Sequence, residues 1–244
     1  MKQQNQSTRT LLHFLKTALL PIGTTMYIWG GGWNEEDTGA GIEATTIGLS
    51  PRWAKFAKKQ DAFYDYKKYR YRIHDGLDCS GYVGWVLYNT LETESGKSGY
   101  VMSAEKMAET FAKRGWGDYI PASEKKDYKP GDIVSMKGHV WISLGTCSDG
   151  SVVLVHASPP GVSLCGTCLK DKNGKSEAVC LAESYMKMYY LTWYQRYPEC
   201  SRGDFYLNGS IFRWNTLVLP DKEKIQDKSS KEVLHFLYSH CIKK

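Results

Sequence analysis

The sequence contains no long hydrophobic run and no repeat at a fixed period. No apolar stretch approaches the roughly 18 residues of a membrane-spanning helix, so a helical membrane protein is excluded. The missing repeat excludes a solenoid or a propeller. The chain has 244 residues, of which 42% are hydrophobic, and can therefore bury a substantial core. We expect one large soluble domain of mixed α and β structure, spanning residues 1–244.

A cleavage site for export is also missing near the N-terminus. Residues 11–23 are apolar and follow Lys2 and Arg9, as in a signal peptide, but His13 and Lys16 interrupt them and no small-residue motif follows. The leucines of this stretch recur at helical spacing, which predicts an amphipathic helix on the core. The sequence thus indicates a cytoplasmic protein, or one from which a leader has been removed.

Charge of one sign is only in modest excess, with 32 basic against 26 acidic side chains and a net charge of +6. This balance favours anionic surroundings such as wall polymers, nucleic acid or phospholipid, and it selects none of them. The cysteine count of seven is odd, so at least one thiol stays outside intramolecular disulfides. The composition therefore leaves room for a reactive cysteine.

A zinc site would need a second close pair of cysteines, which the sequence lacks. Cys165 and Cys168 have the spacing of a ligand pair, whereas Cys180 and Cys200 stand apart. We expect these four residues to serve in strand packing, or in a disulfide if the protein is exported. A zinc-binding module stays open as an alternative, and no metal or other cofactor is expected.

The periodicity of apolar residues predicts helices in the first half of the chain and mainly strands in the second. Residues 79–91 have one apolar helical face, and a second helix is predicted over residues 103–114 with Ser103 as its N-cap. Residues 146–150 have the composition of a hairpin turn, which indicates an antiparallel sheet. The other predicted elements are strands within 129–136, 138–145, 151–158, 161–167 and 216–220, and helices over 182–196 and around 233–241.

Two stretches before residue 79 are expected to border a cleft or a lid. Three consecutive glycines at residues 30–32 follow an aromatic-rich strand end, and glycine permits close backbone approach. The polar segment at residues 34–73 interleaves tyrosines with basic residues from Tyr64 to Arg72. It predicts a solvated lid or helix with partly buried tyrosines; the alternative is a stacking surface for a glycan or a nucleic-acid strand.

Cys79 stands at the start of the predicted helix over residues 79–91. Unpaired N–H groups and the helix dipole stabilise a thiolate at such a position. A buried cysteine considered alone is more often inert packing. A nucleophile needs a base, and the base needs an orienting partner. The sequence therefore has to supply two further residues before Cys79 is a candidate nucleophile.

His139 and His156 lie on adjacent predicted strands and are the candidates for these two residues. Opposed residues of an antiparallel pair share a face, so the two histidines meet if the hairpin is centred between residues 147 and 148. A turn centred on residues 149 and 150 would separate them. His139 shares its predicted face with Trp141, and this face is expected to border a cleft, whereas the opposite face is core-like.

Four motifs, in this order, resemble those of the NlpC-type cell-wall cysteine peptidases, papain-like enzymes related to CHAP amidases. They are YIWGG at 27–31, DCSGYVGWV at 78–86, GDIVSMKGHVWISLG at 131–145 and VHASPPGV at 155–162. The resemblance covers about residues 10–220, with an insertion at 34–73 and a C-terminal extension at 221–244. It implies an α+β, papain-like fold with a central antiparallel β-sheet and the nucleophile at the N-terminus of a helix packed against it.

The resemblance also implies a catalytic set. Cys79 would be the nucleophile, His139 the general base and then acid, and His156 the residue that fixes the tautomer of His139. Tyr27 would lie beside the nucleophile and assist the oxyanion site. The implied reaction is hydrolysis of peptidoglycan stem peptides through a thioester, most typically at the bond between a γ-D-glutamyl residue and a diamino acid.

The residues flanking the cysteine have a second implied role. In some members of the family the matching Asp and Ser contact the free amino group of the substrate, which here means Asp78 and Ser80. Trp29 of the first motif would belong to the same substrate site. Asp78 also has a local role open to it as the N-cap of the helix at Cys79, and the two roles can coexist.

Two alternatives stay open besides the zinc-binding module. The same fold could catalyse acyl transfer or another amidase reaction, or the chain could be a catalytically silent protein that binds the wall. The long segment at residues 34–73 and the long hairpin between the histidines would reshape the rim of the cleft, so they leave the choice of substrate open. The expected partners are peptidoglycan or muropeptide fragments, without nucleic acid or a membrane span. The resemblance favours a location in the cell envelope or outside the cell.

Overall fold

The computed structural model describes residues 9–124, 127–169 and 175–240. Over these residues the chain is an α+β protein with seven α-helices and one seven-stranded sheet. The helices are α1 (Leu11–Leu19), α2 (Pro51–Ala57), α3 (Cys79–Leu91), α4 (Met107–Lys113), α5 (Glu177–Tyr189), α6 (Leu191–Arg196) and α7 (Ser230–His240). The strands are β1 (Gly117–Ile120), β2 (Ile133–Met136), β3 (His139–Thr146), β4 (Val152–Ser158), β5 (Gly161–Thr167), β6 (Ser201–Arg202) and β7 (Ser210–Trp214).

The sheet has the strand order β1-β7-β2-β3-β4-β5-β6. All neighbouring pairs are antiparallel except β5 and β6, which run parallel. The predicted antiparallel sheet is therefore confirmed except at its β6 edge. Strand β7 comes from late in the chain and inserts between β1 and β2, so neighbours in the sheet are not always neighbours in the sequence.

The two faces of the sheet bury different clusters of side chains. One face packs against the helices, and residues from α1, α3, α4, α5 and α7 join it in the main core. On β3 the side chains of Val140, Ile142 and Leu144 belong to this core, whereas Trp141 belongs to a smaller cluster on the opposite face. The predicted alternation along β3 is confirmed, because successive side chains of a strand point to opposite faces. The expectation that the face of Trp141 borders a cleft is wrong, because the second cluster covers this side chain and buries it fully.

Helix α3 has the bounds predicted for it, Cys79–Leu91. The Asp78 side chain caps it by accepting the backbone N–H of Gly81 at 2.7 Å. The helix is buried almost all round, beyond the one predicted face, because the segment at residues 34–73 covers its far side. Trp53 of α2 packs edge-on against Trp85, whose indole N–H donates to the carbonyl of Gly48 at 3.2 Å.

Two predicted helices are each divided into two in the structure. In the stretch 103–114 a 3-10 turn, Ala104–Lys106, precedes α4, and the Ser103 side chain makes no capping hydrogen bond. The helix predicted over 182–196 begins earlier, at Glu177, and breaks at Tyr190, where φ is −132° and ψ is 42°. The structure therefore has α5 and α6 where the periodicity predicted a single helix.

The strand predicted over residues 216–220 is also wrong. Asn215 begins a turn there, since its side-chain carbonyl accepts the N–H of Leu217 and its backbone carbonyl accepts that of Leu219. The true strand is β7, directly before it. At the C-terminus α7 starts three residues ahead of the predicted Val233 and packs on β3, and Cys241 lies outside the described residues.

Over the described residues, no helix combines the length and apolar character needed to cross a membrane.

Candidate active site

Cys79 is the first residue of α3 and lies against the beginning of strand β3. Its Sγ atom is 4.0 Å from the carbonyl oxygen of Gly138, the residue before His139. The residue is 7% exposed, enough to border a cleft. The start of α3 and the start of β3 thus meet at the thiol.

Burial controls the protonation of this thiol. Burial, followed by the charge of Asp78, raises the pKa of Cys79 to about 12. Backbone N–H groups of Val140, Ser80 and Cys79 itself lower this pKa and do not offset the burial. The helix N-terminus therefore does not produce a thiolate here by itself, and a neighbouring base has to take the proton.

His139 and His156 meet, although the predicted centre of the hairpin is wrong by one residue. Ile142 faces Val155 and Ser143 faces Leu154, which centres the connection between residues 148 and 149, and the register shifts after Ser143. The histidines are consequently diagonal neighbours on one face, a separation that long side chains can span. His139 Nε2 lies 2.8 Å from His156 Nδ1.

Both histidines are neutral at neutral pH. Burial, with the positive charge of Arg202 as the second cause, lowers the pKa of His139 to about 3. The same two causes, followed by His139, lower the pKa of His156 well below its ordinary value. The Nε–H of Arg202 donates to His156 Nε2 at 3.0 Å, and the ring of Tyr206 packs edge-on against both imidazoles.

Arg202 and Tyr206 are the members of this arrangement that the sequence did not predict. Arg202 lies on a strand of two residues, and Tyr206 lies in the 3-10 helix Asp204–Asn208 that follows. Neither element has a periodicity long enough to detect, and both reach His156 across the β6 edge of the sheet. The only signal in the sequence is that Arg202 stands two residues after Cys200. A basic residue near a cysteine is too common to indicate a functional role.

The structure brings the predicted catalytic residues to one place without joining all of them. The two histidines are hydrogen bonded, and the thiol lies beside the backbone of His139. Within the described residues, no hydrogen bond joins the Cys79 sulfur to the His139 ring. Since His156 occupies Nε2 of His139, Nδ1 is the ring nitrogen left for the thiol.

Tyr27 lines the same cleft as Cys79. Burial, followed by the charges of Cys79 and Asp78, raises the pKa of Tyr27 far above its ordinary value, so the hydroxyl keeps its proton. Its ring packs edge-on against Tyr66 of the 34–73 segment, and its carbonyl accepts the hydroxyl of Tyr64 at 2.6 Å. A protonated phenol here can donate a hydrogen bond to a developing oxyanion.

Asp78 and Ser80, which flank Cys79 in the sequence, are hydrogen bonded to each other. The Ser80 hydroxyl donates to Asp78 Oδ1 at 2.9 Å and accepts the indole N–H of Trp33 at 3.0 Å. Burial raises the pKa of Asp78 to about 6, although hydrogen bonds from Gly81, Ser80 and Gly30 lower it. The predicted N-cap role of Asp78 is confirmed, and the carboxylate also borders the cleft.

A cleft of about 320 Å³ leads to the sulfur of Cys79. Gly30 and Gly32 line the turn at its edge with φ of 83° and 88°, a left-handed conformation that favours glycine. Trp29 is 47% exposed, and the guanidinium of Arg70 stands 5.5 Å from its ring. The side chains and backbone that line the cleft belong to Tyr27, Trp29, Gly30, Trp33, Asp37, Tyr71, Asp78, Cys79, Ser80, Ser103, Ala104, Glu105 and Gly138.

The tyrosines of the 34–73 segment divide into two groups. Tyr64 and Tyr69 stack on each other and pack edge-on against Phe56, and Tyr66 packs against Tyr27, so these are partly buried as predicted. Tyr71 is 70% exposed and lines the cleft. The segment is therefore both a cover for the core and one wall of the cleft.

Compared with known proteins, the chain matches no family model, no curated protein and no solved structure. The chemistry of the cleft therefore rests on its own geometry and on the motifs in the sequence.

The later cysteines do not gather around a common point in the described residues. Cys165 is buried in the smaller cluster, and Cys180 is exposed on α5. The one three-ligand group there is instead Cys147 with Asp149 and Glu177. Its carboxylates already accept hydrogen bonds, from Ser148 to Glu177 and from the Glu177 N–H to Asp149, which fasten the β3-β4 turn to α5.

Proposed function

We propose that this protein is a cysteine peptidase with an NlpC-type, papain-like fold that hydrolyses amide bonds in peptidoglycan stem peptides. The observation that carries the proposal is the meeting of α3 and β3. A cysteine at the start of a buried helix opens into a cleft, beside a strand whose first residue is one of two hydrogen-bonded histidines. A helix on an antiparallel sheet with this placement is the arrangement that the four motifs imply.

The proposed reaction follows from these positions. The Cys79 thiol gives its proton to Nδ1 of His139, and Sγ attacks the carbonyl carbon of the scissile amide. Backbone N–H groups at the start of α3 and the Tyr27 hydroxyl stabilise the oxyanion. The His139 imidazolium then protonates the leaving amine as the C–N bond breaks. Water hydrolyses the thioester, with His139 accepting its proton, and the thiol is restored.

The walls of the cleft favour a substrate that carries an ammonium group. Asp37, Asp78 and Glu105 are among the residues that line it, so the charged side chains of its lining are acidic. Trp29 and Tyr71 are exposed at its rim and offer apolar faces to the rest of the ligand. A stem peptide with a free amino group or a diamino acid has this chemistry, and the γ-D-glutamyl to diamino-acid bond is the proposed target.

A second candidate is a catalytically silent protein that binds muropeptides. It is favoured by the raised pKa of Cys79 and by the missing hydrogen bond between its sulfur and the His139 ring, among the residues that the structure describes. In that function the cleft would hold the same ligand, and the thiol would act as a packing residue.

Cleavage of purified muropeptides separates the two candidates. Wild type is expected to release two fragments of each substrate, detected by liquid chromatography and mass spectrometry, and Cys79→Ala is expected to release none. Cys180→Ala is the matched control, because it removes an exposed thiol on α5 outside the cleft and should keep wild-type turnover. Absence of cleavage by wild type, with binding retained in both proteins, would favour the silent function.

A further inference from the structure

Arg202 is hydrogen bonded to His156 at the ring nitrogen that does not face His139. It lies on β6, where it pairs with Thr167 of β5, and its guanidinium is partly buried. Its Nε–H points at His156 Nε2 over 3.0 Å, and its Nη1 donates to the backbone carbonyl of Ser201 at 2.6 Å. These two bonds fix the plane of the guanidinium against the edge of the His156 ring.

The direction of the Arg202 bond determines where the protons of both histidines lie. Arginine stays protonated in proteins and its Nε can only donate, so His156 Nε2 must be the acceptor. A neutral His156 then carries its proton on Nδ1. That proton points at His139 Nε2, 2.8 Å away, which makes Nε2 of His139 an acceptor as well. A neutral His139 therefore carries its own proton on Nδ1.

This tautomer is the wrong one for a general base. Nδ1 is the nitrogen of His139 left for the thiol, and with a proton on it there is no lone pair to accept the proton of Cys79. The competent tautomer has His139 protonated on Nε2 and His156 protonated on Nε2. In that state two N–H groups, from His156 and from Arg202, would point at each other.

We propose that Arg202 is a positioning residue that keeps the histidine pair in its non-basic tautomer, and that activation of Cys79 requires Arg202 to release His156. The inference rests on the proposed function in assigning His139 as the base. The change of tautomer conserves charge. The proton on His156 Nδ1 passes to His139 Nε2, the proton on His139 Nδ1 passes to water, and His156 Nε2 takes one proton from water.

The surroundings of Arg202 are consistent with a release step. Strand β6 has two residues and forms the edge of the sheet, so few backbone bonds hold it. The positive charge of Arg202 is also a cause of the lowered pKa of both histidines, in the direction that opposes an imidazolium. The other titratable or charged groups that act on this cluster are Asp78, Cys79, Cys165, Glu199, Cys200 and Tyr206.

Nitrogen NMR of the full chain labelled with 15N-histidine reads the tautomers directly. We expect both His139 and His156 to be protonated on Nδ1 in wild type, and His156 to move toward the Nε2 tautomer in Arg202→Met. Arg202→Lys, which keeps the charge without the fixed Nε–H direction, and Arg202→Gln are second variants should the methionine variant fail to fold. A wild-type His156 protonated on Nε2 would overturn the proposal, and this spectrum needs no variant.

Alkylation of Cys79 by iodoacetamide between pH 6 and 9 gives a second readout. Release of the pair should let His139 take the thiol proton, so Arg202→Met should react about tenfold faster than wild type near pH 7, equivalent to one pKa unit. Labelling of Cys180, mapped in the same digest, corrects for reagent reactivity. An unchanged or slower reaction of Cys79 in every Arg202 variant would contradict the proposal.

The two readouts distinguish this inference from the proposed function. Neither the NMR spectrum nor the alkylation rate requires a muropeptide. If the tautomers are as expected and no muropeptide is cut, the proposed reaction is wrong and the role of Arg202 in setting the tautomers stands. If muropeptides are cut and wild-type His156 is protonated on Nε2, the proposed reaction stands and this inference is wrong.

Discussion

Replacement of Asp78 by asparagine should stabilise the protein at neutral pH. The side chain caps α3 through Oδ1, and an asparagine oxygen can accept the same N–H of Gly81. The substitution removes the charge of a largely buried carboxylate. Burial raises its pKa from 3.8 to about 6, so ionisation above pH 6 costs folding free energy.

The size of the gain follows from the pKa. The folded-state pKa of about 6 lies above the unfolded value of 3.8, so the folded protein binds more protons between these pH values and loses stability as pH rises through them. At about 1.4 kcal/mol per pKa unit, the full loss is about 3 kcal/mol. This is an upper limit, because Asp78 keeps partial exposure to solvent in the cleft and because asparagine has only one acceptor oxygen for the donors of Gly81, Ser80 and Gly30.

Urea unfolding of wild type and Asp78→Asn at pH 7 and pH 5 tests this reasoning. The variant should be more stable at pH 7, and the gap should narrow by about 1 kcal/mol at pH 5, where folded wild type is mostly protonated at Asp78. The buried histidines cancel in the difference because both proteins contain them. Asp65→Asn, which replaces the cap of the 3-10 helix Tyr66–Tyr69, controls for the lost charge.

Equal stability of the two proteins at both pH values would refute the claim that the Asp78 charge is costly. The same variant tests the substrate role. If the charge holds the substrate amine, Asp78→Asn should cut muropeptides more slowly while unfolding at higher urea, and full turnover would show that the amine does not depend on this charge.

Three further substitutions test the packing that positions the site, each by urea or thermal unfolding. Arg213→Met should lower the free energy of unfolding by about 3 kcal/mol at pH 7 and by less at pH 5. Arg213 pairs with the buried Asp132 at 2.6 Å, and burial raises the pKa of that carboxyl to about 6, so less of its charge is left unpaired at pH 5. A loss of stability that does not depend on pH would contradict this. Gly81→Ala should lower the free energy of unfolding by about 3 kcal/mol or more, because its Cβ would lie 2.0 Å from the carbonyl oxygen of Gly31. Gly39→Ala is the control, since a Cβ there meets nothing within 4 Å. Equal losses of stability in the two variants would contradict this. Trp33→Phe removes the hydrogen-bond donor to Ser80 and should lower the free energy of unfolding by about 1 kcal/mol. It should also weaken muropeptide binding measured by calorimetry. Unchanged binding would show that the Trp33 hydrogen bond does not contribute to the ligand site.

Local patterns predicted the parts of the site that are set by neighbouring residues. Helix α3 and its capping residue follow from helical spacing and from an aspartate placed ahead of Cys79. Strands β3 and β4 follow from the alternation of apolar residues. A shift of their pairing register by two residues leaves His139 and His156 on the same face of the sheet. An error of one residue in the predicted turn centre therefore left the histidine pair in contact.

Long-range pairing explains what the sequence could not predict. Strand β7 pairs with β1 and β2 from far along the chain, and the turn at Asn215 has an apolar composition that imitates a strand. Arg202 reaches His156 only because the two-residue β6 pairs with β5. The pKa of Cys79 likewise depends on how much burial offsets the helix N-terminus, a balance that spacing does not report.

Intact-mass measurement of the acid-quenched reaction tests directly whether Cys79 attacks an amide carbonyl. Wild type mixed with a γ-D-glutamyl-diamino-acid muropeptide should gain the mass of the acyl fragment, mapped by digestion to the peptide that contains Cys79, as the amine product appears. Cys79→Ala should gain no mass and release no amine. Release of the amine by Cys79→Ala at the wild-type rate, or by neither protein, would contradict nucleophilic attack by Cys79.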